Sequence, residues 1–85
     1  MIKKFYTVIQ GSKDKNDNGD EWDCGKYNTL KEAICHFNKI KKDTTGIEKI
    51  PGGYLETYVA LSLYNDEDNC RSDNVMTKLQ YKLYY

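Results

Sequence analysis

One proline, one histidine and three cysteines are all that the 85 residues hold of those types, and each scarcity closes off some chemistry. A single histidine rules out H-E-x-x-H and its relatives, which need two imidazoles on one metal. Cys24, Cys35 and Cys70 stand too far apart for a metal knuckle, and an odd count argues against a complete disulfide framework. The thiols are therefore expected to be reduced, as in a cytoplasmic protein. No apolar run approaches the roughly 20 residues that cross a bilayer. The opening MIKKFYTVIQ has a basic start but too short an apolar run, and reads as a first strand rather than a signal peptide. Thirteen basic residues balance thirteen acidic ones, so no global field draws the chain to nucleic acid or membrane. Neither G-x-S-x-G nor a phosphate loop nor a C-x-x-C pair occurs. No repeat or linker divides the chain, so 1–85 reads as a single domain. At this length it buries roughly 60–65% of its unfolded surface.

Tyrosine is abundant, with eight against two phenylalanines. Lys, Asn and Asp are plentiful too, which suggests an AT-rich coding sequence of the kind found in low-GC bacteria and their phages.

Alternation predicts a strand over Lys4–Gln10, with Phe5, Thr7 and Ile9 on one face and Tyr6 and Val8 on the other. Both faces carry apolar groups, so this strand is expected to be central. Asn18-Gly19 then marks a hairpin with a long, mobile tip, returning through Glu21–Cys24. Thr29 and Glu32 form a capping box, each side chain expected to hold a free N–H of the first helical turn. Leu30, Ala33, Ile34, Phe37 and Ile40 follow at helical spacing, and Gly46 is the expected stop. After Pro51-Gly52-Gly53 comes the strongest strand, Tyr54–Tyr64. Leu55, Thr57, Val59, Leu61 and Leu63 share the face that should meet the helix. Asn65–Asn74 reads as an acidic loop and Val75–Tyr85 as a last strand. The order β(β)αββ predicts an α+β fold of two layers, a three- to four-stranded antiparallel sheet with one helix on one face. As a crossover, that helix would put the two acidic loops at opposite ends of the sheet.

The hexamer D-K-N-D-N-G, Asp14–Gly19, resembles the first half of an EF-hand calcium loop. Its twelfth position is Gly25 where a bidentate Glu should stand, and strands flank it. A turn needs the same residue types, so a hairpin tip is expected and no metal or other cofactor is assigned. Cys35 and His36 are helix neighbours whose side chains diverge, which disfavours a nucleophilic pair. No reaction is expected of this chain. Tyr54, Tyr58, Tyr64 and Tyr84, with Glu56, share the face turned away from the helix. Rigid amphipathic rings with mixed charge are what protein interfaces favour, while aromatics on an open sheet can also stack unpaired bases.

Tyr6–Ile9 (Y-T-V-I) and Thr29–Ile34 (T-L-K-E-A-I) are similar to the strand and capped helix of HicB-like antitoxins and of small phage and mobile-element proteins. The acidic-proline motif that such antitoxins carry between strand and helix is absent. At class level the chain resembles anti-CRISPR and other anti-defence inhibitors: short, acidic-looped and without catalytic motifs. That resemblance implies a non-enzymatic protein of the host cytoplasm that blocks a larger host protein, for example one with a basic nucleic-acid-binding groove. The expected contacts are Tyr54, Tyr58, Tyr64, Tyr84 and Glu56 with the loop acids Asp20, Glu21, Asp66, Glu67 and Asp68. The alternative is a module that binds single-stranded nucleic acid on the same sheet.

Overall fold

The structure, a computed structural model, describes residues 2–43, 45–47, 49–65, 70–72 and 77–85, and for 2, 3, 64, 65 and 70–72 the backbone alone. In chain order the elements are β1 (Ile2–Lys13), β2 (Gly19–Tyr27), α1 (Leu30–Lys42), β3 (Tyr54–Asn65), β4 (Cys70–Ser72) and β5 (Gln80–Tyr84). They build one antiparallel sheet in the order β2-β1-β3, with β4 and β5 pairing in tandem along the outer edge of β3. The helix packs against β1, β2 and β3. The class is α+β, as the alternation of strands around one helix predicts.

The centre of the sheet is the β1–β3 pair, which runs in unbroken register from Ile2 opposite Asn65 to Lys13 opposite Tyr54. Its two-sided apolar pattern reflects that central place. Since β2 and β3 both run antiparallel to β1, they are parallel to each other, and α1 is the crossover between them. The β1–β2 tip therefore stands at the Tyr54 end of β3, and β3 ends at Asn65 on the opposite side of the sheet. The acidic stretch Asp66, Glu67 and Asp68 lies outside the described residues.

Beneath the helix, Val8 and Val59 face each other across β1–β3 and pack with Ala33 and Phe37. Tyr6, Cys24, Tyr27, Leu30, Ile40 and Leu79 close around them. Burying each large apolar side chain contributes about 1.5–3 kcal/mol. A register shift between Val8 and Ile9 leaves Cys24 as an extra residue in β2. This bulge carries Cys24 into the core cluster. A buried polar pair on this face, Gln10 Nε2 donating to Thr57 Oγ1 at 3.1 Å, joins the two groups away from water.

Several boundaries differ from the sequence reading. Both hairpin strands are longer than expected and leave a tip of only Asp14–Asn18, because a backbone ladder continues through polar residues that show no alternation. The helix stops at Lys42, not at Gly46. Asp43 turns extended and its carboxylate accepts the Thr45 N–H at 3.1 Å, a local alternative to another helical turn. The last strand is Gln80–Tyr84 rather than Val75–Tyr85, with Val75 and Met76 outside the described residues. Lys78 and Leu79 still exchange backbone bonds with Val59 at 3.2 and 3.1 Å. A short strand, Cys70–Ser72, lies within the stretch read as a loop; three residues are too few to show a period.

The capping box is half formed. Thr29 Oγ1 accepts the Glu32 N–H at 3.3 Å, but the Glu32 carboxylate accepts the Thr29 hydroxyl rather than a backbone N–H.

Candidate functional site

The sheet face turned away from the helix carries three ordered rows at its tip end. Reading across from β2 to β5, they are Gly19–Lys13–Tyr54–Tyr84, Glu21–Gly11–Glu56–Lys82 and Asp23–Ile9–Tyr58–Gln80. The strand period of two puts all these side chains on one side. The register thus brings Tyr54, Tyr58, Tyr84, Glu56 and Glu21 together on one surface. Tyr64 follows on the same face by backbone register. Asp20 does not join them: it is paired with Ser12 on the helix side and lines a cleft of about 290 Å³ with Trp22, Ile47 and Ile50.

Tyr54 and Tyr58 of β3 lie across the sheet rather than standing on it. Tyr58 donates its hydroxyl to Glu21 Oε2 at 3.4 Å, and Tyr54 donates to Asp17 Oδ1 at 3.3 Å. Each phenol therefore reaches over β1 to a carboxylate of the hairpin. Gly11 is paired with Glu21, the acceptor of the first crossing. A Cβ there would stand 3.0 Å from Glu21 Cγ and 3.3 Å from the Asp20 carbonyl oxygen. A glycine inside a strand pattern signals such a close approach. Sequence reasoning passed over Gly11, and it passed over Asp17 by treating the tip as mobile.

Charge is graded across the face. Asp17, Glu21, Asp23 and Glu56 face two lysines: Lys13, 3.9 Å from Glu21, and Lys82, 4.0 Å from Glu56. Gln80 Nε2 also donates to Glu56 Oε1. Burial, followed by the charges and hydrogen bond of Glu21 and the charges of Glu56 and Asp23, pushes the Tyr58 phenol up to about 12. Burial and then Asp17 also raise Tyr54. Both stay protonated donors at neutral pH. Lys82 Nζ sits 5.0 Å over the Tyr54 ring, whose centroid lies 5.9 Å from that of Tyr84. Tyr84 is 71% exposed.

Toward the Ile2 end the same face changes character. Thr7, Ala60 and Ser62 are fully buried there, and Lys26 lies over the Phe5 ring. The open part of the face is therefore its tip half.

The hairpin tip uses its oxygens on itself. Asp14 Oδ1 accepts the N–H groups of Asn16 and Asn18 at 2.8 and 3.0 Å, and Asp17 takes a left-handed φ of 63°. Among the described residues no three His, Cys, Asp or Glu side chains gather in a metal-holding arrangement. Cys35 is exposed, while burial and then Asp23 push the Cys24 thiol up, away from the nucleophilic thiolate. His36 packs edge-on against Tyr27, 5.2 Å between centroids.

In class, then, this is a small α+β protein with an uncovered half-face of tyrosine and carboxylate. The chain matches no family model, no curated protein and no solved structure. No helix among the described residues is long and apolar enough to cross a membrane.

Proposed function

We propose that the chain is a non-enzymatic protein-binding module that docks through the tip half of its open sheet face. In this reading it acts as small phage or mobile-element inhibitors of the anti-CRISPR and anti-defence kind do, by occupying a surface of a larger host protein. The observation that carries the reading is the pair of phenols seated on carboxylates, Tyr58 on Glu21 and Tyr54 on Asp17. Their rings are held in place before any partner arrives. Fixed aromatic area binds with little loss of side-chain freedom, and tyrosine is among the residue types enriched at interface hot spots.

Single-stranded nucleic acid on the same face is the competing reading. Stacking platforms work with a basic groove, and this half-face offers four carboxylates against two lysines. Contacts from the acids Asp66, Glu67 and Asp68 stay part of the proposal.

The test is capture of a host partner, followed by affinity measurements on Tyr54→Ala, Tyr58→Ala and Tyr84→Ala. Affinity should fall at least tenfold for the triple variant, with its helical circular dichroism kept. Undiminished partner binding would sink the assignment of this face. Salt-sensitive retention on single-stranded DNA or RNA would install the competing reading instead.

A further inference from the structure

The open face holds one unit of ring, carboxylate and cation, and a second that lacks the cation over its ring. At Tyr54 the unit is complete: Lys82 stands 5.0 Å over the ring and 4.0 Å from Glu56. At Tyr58 the ring and carboxylate are present, joined by the 3.4 Å bond to Glu21. Among the described residues no lysine or arginine stands over this ring. Lys13 stands 3.9 Å from Glu21, two rows away from Tyr58. The Glu21 side chain remains 48% exposed, and Glu56 lies in the row beside Tyr58.

We propose that Tyr58 with Glu21 forms a socket for an arginine side chain of a partner protein. This inference rests on the docking reading above and names the chemistry of its central contact. A guanidinium is planar, so it can lie on the Tyr58 ring and direct paired N–H donors at the Glu21 carboxylate. Lysine fits less well, because its ammonium is a point charge without a stacking plane. The charge around the ring is complementary: Glu21, Glu56 and Asp23 all add negative charge there. A polyanion would meet that same charge as repulsion. The intramolecular contact of Lys82 with Tyr54 and Glu56 shows that this surface accepts a cation in the same kind of setting.

The experiment titrates the intact chain with hexa-arginine, hexalysine and an oligo-thymidylate of similar length, following Tyr58 ring resonances and affinity at two salt concentrations. Hexa-arginine should bind tightest, shift the Tyr58 ring signals and weaken as salt rises. Tyr58→Leu and Glu21→Gln should each weaken it about tenfold. Tyr58→Phe keeps the ring and should retain most of the affinity, which separates loss of the socket from loss of fold. Equal binding by wild type and Tyr58→Leu, no binding of hexa-arginine, or preference for the oligo-thymidylate would each overturn the socket. If the socket fails while the triple tyrosine variant still loses its partner, the docking face stands and only its arginine chemistry falls. If both fail, the docking reading falls with it.

Discussion

One added methyl group at Gly53 would bring a Cβ within 2.4 Å of the Lys13 carbonyl oxygen. Gly53 is buried, donates its N–H to Ile50 at 2.8 Å and accepts from Tyr85 at 3.1 Å, so the backbone has no easy way to yield. Gly53→Ala should therefore destabilise the protein by about 1–3 kcal/mol, the usual cost of overpacking, read as a lower denaturant midpoint at unchanged slope. Gly11 is different in kind. There the nearest neighbour is the flexible Glu21 side chain at 3.0 Å, with the Asp20 carbonyl oxygen next at 3.3 Å, so a substitution first displaces the carboxylate that holds Tyr58. Two glycines in one short sequence thus have separate tasks. The Pro51-Gly52-Gly53 break was legible as a turn, but the carbonyl that excludes a side chain at Gly53 belongs to Lys13, forty positions away in sequence. Only the register of β1 with β3 puts it there.

At the level of elements, α1 was the most legible part of the chain. Its apolar stripe, its Thr29 cap and its basic last turn of Lys39, Lys41 and Lys42 are local features that need no distant partner, although the Glu32 half of the capping box and the stop at Gly46 did not form. Thr29→Ala should cost about 1 kcal/mol, the common worth of an N-cap, measured as a fall in thermal or denaturant stability. Thr29→Ser, which keeps the hydroxyl, should lose little. The strands were legible where alternation is strong, as in Leu55 to Leu63, and not where it is weak. Their ends at Lys13 and Gly19 are set by ladder bonds to a partner strand, which carry no sequence period. The split of the outer β3 edge between β4 and β5 has the same origin.

For the molecule as a whole, the two layers differ in charge. The helix presents Lys31, Lys39 and Lys42 on one side, and the open half-face presents mostly carboxylates on the other. The acids also shape the response to alkaline pH. Tyr58 is raised from 10 to about 12 in the folded protein. Its neutral form is therefore favoured by folding, and that contribution is fully present below pH 10. It is lost as pH rises from 10 toward 12. Unfolding experiments across that window should show stability falling with pH, and Tyr58→Phe, which cannot ionise, should flatten the fall. An unchanged alkaline limb in Tyr58→Phe would mean that other groups carry it.

By itself the sequence determined the fold class, the helix and its cap, and which residues of each strand share a face, because these follow from periods of 3.6 and 2 and from local capping bonds. That was enough to collect Tyr54, Glu56, Tyr58 and Tyr84 on one surface. Tertiary structure alone decided what those residues do there. It laid the phenols across β1 onto Asp17 and Glu21, set Gly11 close against the Glu21 side chain, sent Asp20 to the other face and seated Lys82 on Tyr54. Each of these depends on which strand lies beside which and in what register, and that is fixed by long-range packing of Val8 and Val59 against Phe37, not by any local pattern.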